Sequence, residues 1–394
     1  MAINVDVRLA RSVPRINNEG LTLVVFKNAR KKSDIEDTIV RINSAKELYD
    51  SFEVFDGTDT EKFAGARELY CAEYLLAMGV NLLCYPTDTR GTIAAGDITN
   101  IEDIAVLDYK FVVVPYAFAD AGLSGVVTMI KDIDAQLFTD LIPNGDAAAV
   151  TTAITALGTD VSKKVEIFVN GGVSSFTSEY LEDTEVVFSP FDSETVFIGI
   201  PASITAVARK ANLLNKRTPW LPVAGETNGM TPEFTKLARK LSTAEKVAFQ
   251  AAGANVLFTK TGIGSMFVSQ NTLHDTENDM DPFIRSHVVT LALWVKRELS
   301  KIANKAMYAP NIQKTWNMFS LSATSILNYA LESNGIEEFR VFIGEGSTMT
   351  TEDINNGIMK ATIRMLPIRV VEAINISLVI QATEDSFEIE IGGE

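Results

Sequence analysis

Strand and helix patterns alternate along residues 21–210, and this alternation limits the possible folds more than any other feature. Apolar runs such as LTLVVF (21–26) and KVEIFVNGG (164–172) are typical of buried strands. AGARELYCAEYLLAMG (64–79) is typical of a helix that ends at a glycine. Strands that alternate with helices favour a sheet covered by helices. We therefore predict an α/β layer for this part of the chain.

The second part of the chain has a different pattern. NKRTPWLPVAGETNGMTP (215–232) is rich in proline and glycine, which favours a long loop or a domain boundary. Two long helices follow, one over about 283–305 and one that ends near Glu332. Strand patterns then occupy 339–344, 357–366 and 373–382. Because 394 residues exceed what one core usually supports, we predict a multi-domain chain of α+β (mixed α/β) class.

The charge and the cysteines restrict the class of protein. The formal net charge is −16, so the surface repels phosphates, which argues against nucleic-acid binding and against docking on anionic membranes. No run approaches the ~18 apolar residues of a membrane helix, and MAINVDVRLARSV lacks the apolar centre of a secretory signal. We expect a soluble chain made in a reducing cytoplasm, without direct membrane insertion. Cys71 and Cys84 are expected to be buried free thiols, with a disulfide between them left open.

The sequence contains only weak matches to catalytic, metal-binding or nucleotide-binding motifs. His274 and His287 lie in no nucleophile motif, so we expect them to be structural. The acidic loop HDTENDMD (274–281) lacks the glycine and the glutamate that a calcium loop needs at its sixth and twelfth positions. TGIGS (261–265) lacks the third glycine of a dinucleotide site and the lysine of a phosphate loop, which favours a tight connection between strands. We predict no catalytic, cofactor or metal site; a nucleotide- or phosphate-binding enzyme that uses TGIGS is the alternative.

Both ends of the chain have the pattern of a single amphipathic strand. Apolar and polar side chains alternate over INVDVRL near the N-terminus and over SFEIEI near the C-terminus. The apolar faces of these strands consist of Ile3, Val5, Val7 and Leu9, and of Phe387, Ile389 and Ile391. The pattern alone leaves open whether each strand pairs with its own sheet or with another molecule.

Four basic residues stand out in this acidic chain. Arg297, Lys301 and Lys305 are spaced by four on the first long helix, and Lys296 lies beside them. This spacing places them on one face, roughly opposite the apolar stripe of the helix. We call these four residues the basic ridge. It is either a solvated helix face or a docking surface for an acidic partner.

The order of motifs from about residue 195 to the end resembles the C-terminal domain of contractile tail sheath proteins, which occur in phages and R-type bacteriocins. YAPN (308–311) resembles the family's aromatic-x-Pro-Asn turn, and Trp316 opens the next helix as in its N-x-x-T-W motif. TTEDINNGIMKATIRMLPIRVVEAI (350–374) resembles its Asn/Thr-x-Glu-Asp-Ile-x-x-Gly strand, and IPASITAVARKANLLNKRTPW (200–220) its Pro-x-Ser helix and tryptophan. Asn271 stands where the family has an arginine.

The resemblance implies a structural subunit without catalysis and without a cofactor. Such subunits stack as hexameric rings around an inner tube, link neighbours through extended terminal arms, and contract to drive the tube through a cell envelope. It also implies a tail or extracellular injection particle, assembled in a host cytoplasm, with baseplate and tail terminator proteins as further partners. On this interpretation, the basic ridge (Lys296, Arg297, Lys301 and Lys305) faces the tube.

The resemblance also divides the chain into regions. We predict an N-terminal linking arm over 1–20 and an outer α/β region over 21–232, of which about 90–200 is most peripheral. An inner, tube-facing α+β domain is predicted over 233–382, and a C-terminal linking arm over 383–394. Another shell-forming assembly protein with exchanged arms is the rival interpretation.

The arm assignment predicts the outcome of a truncation. Deletion of residues 384–394 should leave a soluble, folded chain that no longer polymerises, because the arm supplies a strand to a neighbour. Sedimentation measures the polymer, and circular dichroism measures the fold. A truncated chain that polymerises as well as the full chain would contradict the assignment.

Overall fold

The computed structural model describes residues 20–35, 39–54, 58–88, 90–103, 108–115, 123–130, 133–141, 146–157, 163–174, 176, 178, 180, 199–274 and 281–372. The apolar residues of both predicted arms lie outside these ranges, namely Ile3, Val5, Val7, Leu9, Phe387, Ile389 and Ile391. The strand predicted at 373–382 lies outside them as well.

The described strands and helices follow the predicted alternation. The strands are β1 (Thr22–Phe26), β2 (Ala29–Lys31), β3 (Val40–Ile42), β4 (Phe52–Val54), β5 (Leu82–Pro86), β6 (Phe111–Val114), β7 (Gln136–Asp140), β8 (Val165–Val169), β9 (Gly171–Ser174), β10 (Ile200–Pro201), β11 (Phe234–Leu237), β12 (Asn255–Lys260), β13 (Gly264–Phe267), β14 (Ile336–Ile343) and β15 (Ala361–Pro367). The helices are α1 (Ala45–Ser51), α2 (Asp59–Ala77), α3 (Ala95–Asp103), α4 (Leu123–Ile130), α5 (Ala147–Leu157), α6 (Ala202–Asn215), α7 (Gly225–Asn228), α8 (Thr243–Ala251), α9 (Ser286–Ala306), α10 (Gln313–Glu332) and α11 (Thr351–Asn355), and a 3₁₀ turn spans Pro282–Ile284.

An eight-stranded sheet organises the fold, in the order β13-β12-β8-β7-β6-β1-β5-β3. The six inner strands pair in parallel, and β3 and β13 pair antiparallel at the two ends. Parallel strands need crossover connections, and here helices supply them. The predicted mixed α/β class is confirmed.

Alternate residues of each strand enter two different cores. Val24 and Phe26 of β1 face a core that includes residues from α2, α6, α9 and α10. Leu23 and Val25 face a second core that includes residues from α3, α4, α5 and α8. Because both faces are covered, the strands are apolar throughout rather than alternating, which explains runs such as LTLVVF. None of the described helices is long and apolar enough to cross a membrane.

The sheet continues past the domain boundary predicted at residue 232. β12 and β13 lie beyond that boundary in sequence, yet β12 pairs with β8 and extends the sheet of the preceding region. The division into an outer and an inner domain stays a prediction. TGIGS forms the short connection between antiparallel β12 and β13, as expected, and Gly262 and Gly264 there have φ values of 81° and 122°.

The two cysteines are buried and free, as expected. Cys71 lies in α2 and Cys84 in β5, and both belong to the core beneath α2. Burial in apolar surroundings raises the pKa of each thiol well above its usual range. The thiols therefore stay protonated and contribute to packing.

The C-terminal elements pack on one another in succession. α9 packs against α10, and α10 packs against β14. Trp220, from the segment rich in proline and glycine, donates its indole N–H to the Ser333 carbonyl at 2.9 Å and so ties that segment to the end of α10. A Cβ on Gly335 would lie 2.8 Å from the Trp220 ring, so only glycine fits there. α11 begins with a capping box between Thr350 and Asp353.

A buried polar cluster joins α9 to the sheet. Lys210 of α6 and Glu166 of β8 form an ion pair of 3.0 Å, with only 7% and 1% of their side chains exposed. Ser286, the first residue of α9, donates its hydroxyl to Glu166. Lys210 also donates to Thr290 at 3.2 Å, and Thr290 lies 2.9 Å from the Gln136 side chain of β7. The cluster therefore fixes the first turns of α9 on the sheet.

Removal of one partner of this buried pair should be costly. Lys210→Ala leaves the Glu166 carboxylate buried without its countercharge, and we expect the free energy of unfolding to fall by about 3–5 kcal/mol. Urea denaturation measures the change. Lys260→Ala is the matched control, because Lys260 and Glu226 form an exposed pair worth about 0–1 kcal/mol. Equal effects of the two variants would contradict the structural role of the buried pair.

Candidate functional site

The antiparallel pair of β14 and β15, here called the C-terminal sheet, is the first candidate assembly surface. Its register runs from Ile336 opposite Pro367 to Ile343 opposite Ala361. Within the described residues the two strands pair only with each other, so each has an outer edge that no described strand covers. Such an edge presents a row of backbone groups that can accept another strand.

The two faces of the C-terminal sheet differ. Phe339, Val341, Ile363 and Met365 form one row, which is partly buried against the core. The opposite row includes exposed Arg340 and Arg364, which lie opposite each other in the register. An added strand that continued both rows would have an apolar face towards the core and a polar face towards solvent. That is the pattern of both predicted arms.

The basic ridge lies on the part of α9 that emerges from the core. Residues 286–291 and 293–295 are buried, whereas Lys296, Lys301 and Lys305 are exposed. The Lys296 ammonium is 2.7 Å from an Asp134 carboxylate oxygen, and Arg297 donates to the Asp134 backbone carbonyl at 3.0 Å. Lys301 pairs with the adjacent-turn carboxylate of Glu298 at 2.5 Å. The fold thus brings the four residues together on one surface and partly neutralises two of them within the chain.

A further cation lies under the basic ridge. Lys110, immediately before β6, is 6% exposed and forms an ion pair with Asp108. Burial lowers the pKa of Lys110, and the positive charges of Arg297 and Lys301 lower it further, whereas Asp108 acts in the opposite direction. Lys110 could not be recognised from the sequence, because it is far from Arg297 along the chain and no local pattern connects the two.

The residues considered for catalysis or metal binding are not assembled into one site. His287 is buried in α9, with its Nδ1 2.9 Å from the Gln270 side-chain oxygen. His274 lies 3.1 Å from an Asp281 carboxylate oxygen, and most of the acidic loop (275–280) lies outside the described residues. The described part of the chain contains no group of three or more histidine, cysteine or acidic residues that could hold a metal ion.

Comparison with solved structures relates this architecture to known proteins. No family model and no curated protein matches the sequence. A chain of the anti-feeding prophage baseplate superposes with a TM-score of 0.69 and 17% identity, over 96% of this chain and 98% of that one. The PVC sheath of an extracellular contractile injection system, in its contracted state, superposes with a TM-score of 0.64 and 17% sequence identity. The match covers 93% of this chain and 92% of that one. The sheath tail protein of Desulfitobacterium hafniense superposes with a TM-score of 0.55 and 8% sequence identity. The match covers 93% of this chain and 100% of that one.

The chain has the fold of contractile sheath proteins. The similarity spans nearly the whole chain in each comparison, so it includes the eight-stranded sheet as well as the C-terminal elements that carried the resemblance in sequence. The sheath fold confirms that resemblance at the level of structure. The sequence identity of 8–17% explains why only an ordered series of short motifs was recognisable.

His287 is expected to make the stability of the folded chain depend on pH. Burial lowers its pKa from 6.5 to about 4, so the folded chain keeps the imidazole neutral where the unfolded chain takes up a proton. Stability is therefore lost as the pH falls from 6.5 towards 4. Between pH 7 and pH 5 we expect His287 to account for about 2 kcal/mol of the decrease in the free energy of unfolding. Urea denaturation at the two pH values should show a correspondingly smaller decrease for His287→Gln; an unchanged decrease would contradict the assignment.

Proposed function

We propose that this chain is the structural subunit of a contractile sheath. In this proposal it polymerises as stacked hexameric rings around an inner tube, and its contraction drives the tube through a cell envelope. The observation that carries the proposal is the match, over 92% or more of both chains, to sheath proteins of contractile particles. The assembly acts as a virion tail or an extracellular injection particle and is put together in a host cytoplasm.

Strand exchange links the subunits in this proposal. The N-terminal arm (Ile3, Val5, Val7 and Leu9) and the C-terminal arm (Phe387, Ile389 and Ile391) add to the sheets of neighbouring subunits, and the outer edges of the C-terminal sheet are the acceptors. Main-chain hydrogen bonds supply affinity, and alternate side chains fix the register. An arm on a flexible connection stays attached while the globular bodies rotate, so the polymer remains continuous as it contracts.

Contraction in this proposal needs no enzymatic step. An extended array that is trapped behind a kinetic barrier can release its energy when the interfaces between rigid bodies rearrange. The buried Lys210–Glu166 cluster and the two cores support rigid-body motion, because they hold α9 to the sheet within one subunit. Baseplate and tail terminator proteins bind the two ends of the assembly, and no nucleic acid is needed.

Electron microscopy of the purified full chain tests this function directly. Helical tubes of stacked six-membered rings are the expected result. Discrete monomers or closed shells would contradict it, and closed shells would favour the shell-forming alternative. Thermal shift with nucleotides is the complementary measurement: a saturable increase in the melting temperature would favour the enzyme alternative.

The basic ridge is the proposed contact with the inner tube. Each exposed ion pair contributes about 0–1 kcal/mol, which allows release during contraction, and repetition around a ring supplies avidity. The proposal is supported by the exposure of Lys296, Lys301 and Lys305 on one helix of a chain with a net charge of −16.

Charge reversal tests this contact. Arg297→Glu combined with Lys301→Glu should weaken the association of sheath with tube roughly tenfold or more at low salt, and the difference from the unaltered chain should shrink as salt is added. Co-sedimentation of sheath with tube measures it. Lys240→Glu combined with Lys260→Glu reverses the same number of charges away from α9 and is the control. Normal assembly of extended sheath on tube by the first variant would show that the basic ridge does not bind the tube.

A further inference from the structure

The polar row of the C-terminal sheet carries two arginines directly opposite each other. Arg340 of β14 and Arg364 of β15 are partners in the register, and both are exposed. Like charges at directly opposite positions of an antiparallel pair repel each other. A negative charge placed next to this pair would turn the repulsion into attraction. We call this row the outer row; it consists of Glu338, Arg340, Phe342, Thr362, Arg364 and Leu366.

The two arginines differ in the partners that the fold gives them. Arg340 forms an ion pair of 2.8 Å with Glu338, which is the single carboxylate of the outer row. Arg364 lies over the Phe342 ring, with its guanidinium carbon 5.4 Å from the ring centre, and forms no ion pair within the part of the chain that the structure describes. Stacking uses the flat face of a guanidinium, so the N–H groups at its rim stay available to a carboxylate.

The sheet also has space for further side chains beside these arginines. A cavity of about 250 Å³ opens there, and its lining consists of Glu338, Phe339, Arg340, Arg364, Met365 and Leu366. A water molecule occupies about 30 Å³ of liquid, so the cavity has room for one or two acidic side chains. Leu366 is 52% exposed although it is large and apolar. The surface therefore offers positive charge and apolar area side by side.

The C-terminal arm has the matching pattern. In SFEIEI (386–391) the residues between the apolar ones are Glu388 and Glu390. Side chains of a strand alternate between its two faces, so a strand that continues the inner, apolar row of the sheet also continues the outer row. An added SFEIEI strand in that register brings two negative charges to the outer row.

The polar face of the N-terminal arm has no net charge. In INVDVRL (3–9) this face contains Asn4, Asp6 and Arg8. Its arginine would bring a third guanidinium to the outer row. Discrimination between two partners depends on the difference of their affinities, and a repelled charge contributes to it as much as an attracted one. The charges of the outer row therefore favour the C-terminal arm over the N-terminal arm.

We propose that Arg364 selects the C-terminal arm of a neighbouring subunit as the strand that pairs with the outer edge of β15. One of Glu388 and Glu390 lies directly opposite Arg364, and the other lies diagonal to it, within reach of a long side chain. The inference rests on the proposed function, which supplies the exchange of arms between subunits. It adds which arm takes which edge, because at the β14 edge Arg340 already has the Glu338 carboxylate as its partner.

An exchange of charges in the full chain tests this proposal. Arg364→Glu places a negative charge beside the glutamates of the arm, and the critical concentration for polymerisation should rise roughly fivefold or more at low salt. Glu388→Lys combined with Glu390→Lys should raise it as well. All three substitutions in one chain bring opposite charges together again, so the critical concentration should return close to that of the unaltered chain.

Sedimentation measures the polymer, and circular dichroism checks that each variant is folded. Lys260→Glu is the control, because it changes the net charge of the chain as much as Arg364→Glu does but lies in β12, outside the C-terminal sheet. It should leave the critical concentration unchanged.

Carbodiimide cross-linking identifies the strands that meet. Arg364→Lys keeps the positive charge and supplies an amine, which the reagent joins to a carboxylate in contact with it. Polymers made from equal amounts of isotope-labelled and unlabelled chains distinguish a link between two chains from a link within one. We expect mass spectrometry to find the introduced amine joined to Glu388 or Glu390 of another chain. Lys360 and Asp353, 2.6 Å apart just before β15, supply the internal control for access of the reagent.

Failure of this inference is distinguishable from failure of the proposed function. If Arg364→Glu polymerises normally, or if the combined variant is no better than Arg364→Glu alone, Arg364 does not select the arm. A link from the introduced amine to Asp6, or only to the arm of its own chain, would refute the selection too, although tubes of stacked rings would still support the sheath function. If the unaltered chain forms no tubes, the proposed function fails and the inference falls with it.

Discussion

The buried ion pair between Lys210 and Glu166 is the interaction on which the arrangement of the C-terminal elements depends. It connects α6, β8 and, through Ser286 and Thr290, the first turns of α9. Two charges removed from water are stable only when both keep their partners, so the geometry of this junction has little freedom. α9 is therefore fixed at one end, and its direction determines where the basic ridge leaves the core.

Charged groups have opposite roles inside the molecule and on its surface. Inside, desolvation makes each partner indispensable, and the pair acts as a rigid joint. On the surface, Lys296, Lys301 and Lys305 are well solvated, and their contacts are individually weak. In the proposed sheath, a subunit must stay rigid while its outer contacts change, and α9 carries both kinds of interaction.

The C-terminal sheet depends on the same junction. α10 packs on α9, β14 packs on α10, and Trp220 with Gly335 closes the corner where α10 turns into β14. The C-terminal sheet is the proposed acceptor of a neighbour's strand, and such a sheet must hold its edge in a fixed position, because the rows already present set the register of an added strand. The successive contacts of the central sheet with α9, of α9 with α10 and of α10 with β14 provide that support.

The sequence by itself determined the local structure of this protein. Periodicity of apolar residues predicted the α/β layer, both long helices and the two strands of the C-terminal sheet, and the Thr350 cap and the TGIGS connection follow from residues only a few positions apart. Periodicity is a local property, which explains why it was sufficient there. The amphipathic pattern of the two ends predicted strands there, and these residues lie outside the described ranges, so their role as arms stays a prediction.

Only the tertiary structure decided which distant residues meet. The attachment of β12 to β8, the contact of Asp134 with the basic ridge and a cavity that Lys110 and Trp294 both line all join positions that lie far apart in the chain. No pattern in a single sequence encodes such pairs, because they arise from the way strands and helices stack around the shared sheet. The charge of the basic ridge is thus evident in the sequence, whereas the fold decided that Asp134 pairs with Lys296 and that Glu298 pairs with Lys301.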